Sequence, residues 1–253
     1  MANDTSDRLS KSTMLTGVSD FPTTRWTLVL AASDRDPAQA RAALASLCES
    51  YWYPLYAYIR RCGHSSEQSQ DLTQDFFVRL LSGRYVDRAN PDKGKFRAFL
   101  LSSLKYFLND EWDRSQAKKR GGQSTILPFE ISDGEVLYQR EPVNNETPER
   151  IYERQWARTV LDRVLKRLRD EFVRHGRLDH FNRLKVYLLS QGDVPYAELA
   201  RQLETSEGAL KVGIHRFRRR YRDLLRAEIA ETVNDLSQVD GELRYLATAL
   251  VGK

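Results

Sequence analysis

The chain has few side chains that bind metals or form disulfides. Its 253 residues include 2 cysteines and 4 histidines, and Cys48 and Cys62 lie too far apart to form a CxxC pair. Neither a zinc site nor a disulfide framework is supported, so we expect two reduced, packed thiols in a cytoplasmic protein. We also expect no bound metal ion and no cofactor.

Long apolar stretches are missing too. No segment approaches the roughly 18 apolar residues of a membrane-spanning helix, and the first residues lack the apolar core of a signal peptide. We therefore expect a soluble, cytoplasmic protein without membrane insertion. Apolar and polar residues almost never alternate with a period of two, whereas helical periodicity recurs, so the sequence predicts an all-α fold.

Positive charge is in slight excess. Lysine and arginine total 40 against 35 aspartates and glutamates, which gives a net charge of +5, and such an excess indicates a polyanionic partner only where the cations cluster. Composition predicts two small helical domains joined by an acidic linker, with a flexible tail before them and a helical extension after them. The expected bounds are 1–24 for the tail, 25–120 for the first domain, 121–150 for the linker, 151–226 for the second domain and 227–253 for the extension.

The densest cluster of cations lies in a predicted helix-turn-helix near residues 195–222. Ser206 is suited to cap its second helix, in which apolar residues recur on one face and long basic side chains occupy the opposite face. A short turn, a cap and separated faces are together typical of a helix that enters the major groove. A solvated basic face is the plainer alternative. A membrane-surface helix is disfavoured, because the apolar stripe is needed to pack on the preceding helix.

Two further stretches carry a family resemblance. DLTQDFFVRLL at 71–81 and NPDKGKFRAFLLSSLKYFLNDEWDRSQAKKR at 90–120 resemble region 2 of extracytoplasmic-function sigma factors of the sigma-70 class. The stretch YAELARQLETSEGALKVGIHRFRRRYRDLL at 196–225 resembles region 4 of the same family, and RWTLVLAA and YWYPLYAYIRR are similar to its planctomycete-type variants. The resemblance implies a factor without enzymatic activity that binds core RNA polymerase and directs transcription initiation at promoters.

The resemblance also implies contacts with polymerase and with the upstream promoter element. Region 2 would dock on the clamp helices of the largest subunit and region 4 on the flap, with Phe77 as an aromatic anchor off the main apolar stripe. The implied polymerase contacts are Asp71, Gln74, Asp75, Phe77 and Arg79. The implied base readers at the minus-thirty-five element are Lys211, Val212, His215, Arg216 and Arg219, and the other contacts there are Ser206, Arg201, Arg218, Arg220 and Arg222.

Melted minus-ten DNA would be held by the loop and helix after residue 81. Cations interleaved with aromatic rings suit this role, because cations hold the backbone while rings stack on unpaired bases. For Tyr106 and Trp112, packing in the core is an equal alternative. The implied contacts are Arg84, Asn90, Lys93, Lys95, Lys105, Tyr106, Asn109, Trp112, Arg114, Lys118, Lys119 and Arg120.

Some features depart from the family pattern, and other functions stay open. Glu204 stands where a turn glycine is common, and the extension could dock on region 4, cap it, or bind a regulator such as an anti-sigma factor. The strongest rival is a stand-alone helix-turn-helix transcription regulator whose N-terminal domain dimerises or binds a ligand. A polymerase-binding protein that never opens DNA is another rival. The weakest is a metal-dependent nuclease using Asp71 with Asp75, or Asp110 with Glu111 and Asp113.

Overall fold

The computed structural model describes residues 37–82, 95–117, 134–141, 146–188, 195–233 and 235–251. The prediction of an all-α fold is confirmed for these residues, which form nine α-helices and two short 3₁₀ turns without a strand. The helices are α1 (Pro37–Arg61), α2 (Ser66–Leu81), α3 (Phe96–Ala117), α4 (Gly134–Gln139), α5 (Pro148–Arg174), α6 (Leu178–Leu184), α7 (Tyr196–Gln202), α8 (Glu207–Ala230) and α9 (Val239–Val251). The 3₁₀ turns are Lys185–Tyr187 and Leu236–Gln238.

Side-chain caps fix the starts of the functional helices. Ser65 and Gln68 form a reciprocal capping box at the start of α2. Thr147 caps α5, whose first residue is Pro148. Ser206 caps α8 by accepting a hydrogen bond from the Ala209 amide, as its position in the sequence predicted.

The first core is built by α1, α2, α3, the N-terminal part of α5, the end of α8 and α9. Aromatic rings fill much of it, including an edge-on pair formed by Tyr51 and Phe96 with ring centroids 5.4 Å apart. Trp156 of α5 is 1% exposed at its centre. The predicted extension is therefore part of this core in the region that the structure describes, since Val239 and Leu246 of α9 are buried in it.

The second core is smaller and lies among the C-terminal part of α5, α6, α7 and α8. Phe172, Phe181 and Phe217 form a cluster in which every pair of rings is within 6.0 Å. Because α5 supplies Trp156 to the first core and Leu168 to the second, one continuous helix joins the two. The domain bounds given above stay a prediction.

The acidic segment before α5 is not simply an extended linker where the structure describes it. Residues Gly134–Gln139 form α4, which packs on α1. Glu135 accepts hydrogen bonds from the Tyr56 hydroxyl at 2.6 Å and from Arg60 Nε at 2.9 Å. Further along, Glu141 pairs with the buried Arg154 of α5 at 3.0 Å. The acids thus attach this segment to the first core.

Candidate nucleic-acid and polymerase interface

The turn between α7 and α8 has a defined geometry. The Thr205 amide donates to the Ala200 carbonyl at 2.9 Å, and the Glu204 amide donates to the Arg201 carbonyl at 3.2 Å. This pair of bonds is the Schellman arrangement, in which one residue takes a left-handed conformation. That residue is Glu204, with a φ of 50°. The turn expected here therefore forms without a glycine.

The faces of α8 separate as the sequence predicted. Leu210, Ile214, Phe217 and Leu224 are each at most 4% exposed and pack into the second core. Burial also raises the pKa of Tyr221 on this side to about 12. The opposite face is therefore the one that α8 presents to solvent.

The exposed face of α8 carries the predicted base readers. Val212 is 50% exposed, and Lys211, His215, Arg216, Arg219 and Arg222 are also exposed. Lys211 lies 3.7 Å from Glu207 in an ion pair on the helix surface, which is a weak interaction in water. No hydrogen bond or ion pair to another described residue occupies His215, Arg216, Arg219 or Arg222. These side chains are available to a ligand.

The predicted phosphate contacts are less available. Arg218 is half-buried, and its Nε donates to the Tyr187 carbonyl at 2.6 Å. Arg220 forms an ion pair with Glu171 of α5 at 2.5 Å, which raises the pKa of the arginine and lowers that of the carboxyl. Arg201 pairs with a glutamate one turn earlier in α7. Of these, Arg218 and Arg220 tie α8 to the rest of the second core.

The structure shows whether Tyr106 and Trp112 of α3 pack in a core or face solvent. Tyr106 is 55% exposed and Trp112 is 65% exposed, so neither is packed in a core. Lys105, Asn109 and Arg114 are exposed on the same helix. The Lys105 ammonium lies 2.7 Å from the Glu149 carboxylate, and this bond lowers the pKa of Glu149. The surface thus combines exposed rings with cations.

The cations at the start of α3 pair with a carboxylate of α9. Lys95, a predicted DNA contact, forms an ion pair with Glu242 of α9, so it is not free in this conformation. Arg97 Nε donates to the other oxygen of the same carboxylate at 2.6 Å. Burial alone would lower the pKa of Arg97, but the hydrogen bond and charge of Glu242 raise it. The sequence prediction missed both Arg97 and Glu242.

A signal for this pair was present in the sequence. Glu242 follows Val239 by three residues and precedes Leu246 by four, which places a carboxylate on the apolar stripe of α9. Charged residues are almost never fully buried unless they are paired. A glutamate in that register therefore predicts a buried cation on the facing element, although it does not identify which one.

The prediction that side chains of α2 contact polymerase needs one correction. Phe77 is 1% exposed and packs beside Phe76 in the first core, so it is not an exposed anchor. The buried arc of α2 is wider than a single stripe because α1 and α3 both pack on it. Asp71 is exposed and Gln74 is partly exposed.

Two other charged side chains of α2 are partly buried. Burial raises the pKa of Asp75, although the nearby Arg79 opposes that shift. Arg79 lies 2.5 Å from Glu111 of α3 and 4.8 Å from the centre of the Phe107 ring. It therefore braces α2 against α3 rather than extending into solvent.

A groove of about 1020 Å³ runs between the end of α1, α2 and α3, and Asp71, Asn109 and Trp112 are among its lining residues. Cys62 also lines it and is exposed, contrary to the expectation of a packed thiol. The groove brings candidate polymerase contacts and candidate DNA contacts to adjoining surfaces.

Several predicted contacts lie outside the described residues. These are Arg84, Asn90, Lys93, Lys118, Lys119 and Arg120. Within the part of the chain that the structure describes, no group of three histidine, cysteine, aspartate or glutamate side chains could hold a metal ion. No helix among those residues is long and apolar enough to cross a membrane.

Comparison with known families gives one match. Residues 47–118 match the family model described as sigma-70 region 2, and this segment includes α2 and α3. This match supports a sigma-70-type factor acting in transcription initiation. Searches of curated proteins and of solved structures gave no significant match.

Proposed function

We propose that the chain is a sigma factor of the extracytoplasmic-function type, which binds core RNA polymerase and directs it to specific promoters. The observation that supports this most is that one chain carries a match to sigma-70 region 2 and a capped helix with an open basic face. In this proposal the matched segment would supply the polymerase-binding and DNA-opening surfaces. In this proposal α7 and α8 act as region 4.

Promoter opening would take place along α3. Tyr106 and Trp112 offer exposed ring faces, and each stacked base contributes about 1–3 kcal/mol in proteins that hold single strands. Among the described residues, Lys105 forms an exposed ion pair with Glu149, which a phosphate can replace at little cost. The factor would therefore stabilise separated strands by binding them, without making or breaking a covalent bond.

Recognition of the upstream element would take place on α8. Ser206 caps the helix, and the small residues Gly208 and Ala209 lie in its first turn, so this end can approach base edges closely. Arg216 and Arg219 project from the exposed face and can each donate paired hydrogen bonds to a guanine. Arg222 lies farther along the helix and is suited to a phosphate.

Polymerase binding would use the exposed part of α2. Asp71 and Gln74 lie on its solvent side, while Arg79 fixes α2 to α3 through its ion pair with Glu111. Rim charges of this kind set the rate and specificity of association more than the affinity. We include an anti-sigma protein among the possible regulators and place the chain in the cytoplasm.

One observation favours a second candidate, a stand-alone transcription regulator. The basic face of α8 is already open in the isolated chain, as a regulator that binds promoters without polymerase would require. That function predicts tight, sequence-specific duplex binding by the chain alone. The sigma factor predicts promoter-specific initiation only together with core enzyme.

Run-off transcription on genomic fragments, with purified core polymerase with and without the chain, separates the two candidates. We expect defined transcripts only when both are present. Co-purification with polymerase without any new transcript would indicate a polymerase-binding protein that does not open DNA. Tight duplex binding by the chain, with neither co-purification with polymerase nor a new transcript, would favour the stand-alone regulator.

A further inference from the structure

A second groove, which we call the α5 groove, runs between α1, α4 and α5. Its volume is about 680 Å³, within the range of about 300–1,000 Å³ that is common for small-molecule sites. Tyr53 of α1 and Leu137 of α4 line part of it, and α5 supplies most of the remaining wall between residues 155 and 170. Among the residues that the structure describes, none from α2, α3 or α8 lines this groove. It is therefore separate from the surfaces described above.

A buried amide without a hydrogen-bond partner lines the α5 groove. Gln155 is 2% exposed, and its Nε2 donates no hydrogen bond to any described residue. Buried polar groups in native proteins are nearly always hydrogen-bonded, because an unpaired donor has lost its bonds to water without replacement. Its neighbours Trp156 and Ala157 are buried apolar residues, so α5 could hold an apolar residue here as well. The amide therefore indicates a donor that is used by a group entering the groove.

Cations follow the amide along α5. Lys166 is exposed, and its ammonium forms no ion pair with another described residue. The side chain of Arg167 is 51% exposed and lies 3.7 Å from Glu228, which is too long for a strong hydrogen bond. Arg163 pairs more closely with the same carboxylate, at 3.0 Å, and so remains part of the contact between α5 and α8. Lys166 and Arg167 are thus the two cations that can turn to an anion in the groove.

Carboxylates on the same wall make a bare polyanion a poor ligand. Asp162 and Asp170 line the α5 groove together with the cations. A carboxylate repels phosphate, but it accepts hydrogen bonds from hydroxyl and amino groups. A DNA backbone offers phosphates without such donors. A small ligand that carries phosphates at one end and hydroxyl or amino groups elsewhere satisfies both the cations and the carboxylates.

The spacing of these groups favours an elongated ligand. Gln155 and Lys166 are 11 residues apart on one helix, which is about 16 Å at about 1.5 Å per residue. Tyr53 lies at the amide end, because its hydroxyl donates to Glu141 at 3.4 Å and Glu141 also pairs with Arg158 at 3.1 Å. The partly buried Tyr53 ring offers an apolar face with a polar tip. An aromatic surface at one end and cations at the other suit a base joined to a chain of phosphates.

We propose that the α5 groove binds a nucleoside triphosphate, with the base against Tyr53, a hydrogen bond from Gln155 to a ring acceptor, and the phosphates on Lys166 and Arg167. The inference goes beyond the proposed function and does not depend on it. Because Leu137 of α4 lines the groove together with α5, a bound nucleotide would hold α4 against α5. Docking of the acidic segment would then respond to the concentration of a nucleotide.

Fluorescence titration of the full chain with methylanthraniloyl-labelled ATP and GTP tests the site. We expect saturable binding of at least one of them and displacement by the same unlabelled nucleotide. No saturable signal with either probe up to about 1 mM overturns the proposal. Equal displacement by inorganic tripolyphosphate also overturns it, because the cations alone would then account for binding.

Two exposed cations of α5 give a matched pair of variants. Lys166→Ala removes a cation that lines the groove, whereas Arg169→Ala removes an exposed one that does not line it. We expect binding to weaken about tenfold in Lys166→Ala, since a hydrogen bond to a charged phosphate is lost. Arg169→Ala should change it less than about twofold, because exposed charges are screened by salt. Equal losses would indicate non-specific attraction to a basic surface and would overturn the site.

Gln155→Leu separates recognition of the base from general attraction. The variant removes the amide, and we expect several-fold weaker nucleotide binding with no loss of stability in urea unfolding, because an unpartnered buried amide does not stabilise the free chain. A folded Gln155→Leu variant with wild-type affinity overturns the assignment of the base. If this variant does not fold, the comparison of Lys166→Ala with Arg169→Ala decides. None of these measurements uses polymerase or promoter DNA, so failure of the sigma function would leave their outcome unchanged.

Discussion

Glu204 is the single non-glycine residue with a positive φ among the residues that the structure describes. A left-handed conformation costs a residue with a Cβ about 1 kcal/mol or more, because the Cβ crowds the following carbonyl. We expect Glu204→Gly to raise the free energy of unfolding by about 1 kcal/mol, since the relief of strain exceeds the added entropy of the unfolded glycine. Urea unfolding followed by circular dichroism measures the change.

The matched control is Glu204→Ala, which removes the carboxylate but keeps the Cβ and hence the strain. We expect its stability to stay within about 0.5 kcal/mol of the wild type. Equal stabilisation by both substitutions would show that the charge of Glu204, and not its backbone conformation, determines the effect.

Arg216 provides the residue-level test of promoter recognition. It is exposed on the face of α8 opposite the buried stripe, and a good paired contact with a guanine contributes about 1–3 kcal/mol of discrimination. We expect Arg216→Ala to reduce the preference for the correct upstream element by that amount in competition run-off transcription. Arg169→Ala, at an exposed arginine on α5, is the control. Unchanged preference in Arg216→Ala would remove this residue from the base readers.

At the scale of the element, the docking of α4 on α1 depends on the ionisation of Glu135. The hydrogen bond from Arg60 holds the pKa of Glu135 below its ordinary value of 4.5. A carboxyl with a depressed pKa stabilises the fold above its ordinary value, and this contribution is lost as the pH falls through the folded-state pKa. We therefore expect α4 to detach as the pH falls below about 4.5, monitored by the fluorescence of Trp52, which lies against Gly134.

The change that checks this assignment is Glu135→Gln. The variant should show weaker docking of α4 at neutral pH and a smaller loss on acidification, because the titrating carboxylate is gone. Asp110→Asn, at an exposed position in α3, should keep the acid transition of the wild type. If Glu135→Gln keeps that transition too, another carboxyl controls the docking of α4.

The contrast between α8 and α4 shows what could be predicted from the sequence. The stripe of Leu210, Ile214 and Phe217 depends on residues three and four apart, so local periodicity was sufficient to predict it. The docking of Glu135 on Arg60 joins residues 75 positions apart, and no local pattern contains that information. An acidic segment rich in proline and glycine therefore favoured an extended linker until its partners were known.

The same reasoning applies to the candidate site. Exposure of Arg216 followed from the helical wheel, because the buried residues Leu210, Ile214 and Phe217 share one face of α8 and leave Arg216 on the other. Phe77 was placed wrongly because α2 is covered from two sides, which widens its buried arc. The place of Glu242 on the apolar stripe of α9 was a signal of a buried pair, but its partner Arg97 could not be identified because it lies 145 residues away. Sites on one helix face were thus predictable, and contacts between helices were not.

At the scale of the whole molecule, α5 is the element that decides whether the free chain unfolds as one unit. Its side chains enter both cores without a break between Val160 of the first and Val164 of the second. The two cores are also joined through α8, whose Phe217 lies in the second core and whose Ile229 lies in the first. Loss of either core should therefore destabilise the other.

Phe217→Ala tests this coupling. Removing a buried ring costs about 3–5 kcal/mol, and we expect the loss of amide protection to extend from the second core into α1 and α3. Val212→Ala changes an exposed residue on the same helix and should leave both cores within about 0.5 kcal/mol of the wild type. Hydrogen exchange with residue resolution measures both variants. If Phe217→Ala leaves amide protection in α1 and α3 unchanged, the two cores unfold independently. A shared helix that couples the cores would lower the stability of both cores when either one is weakened.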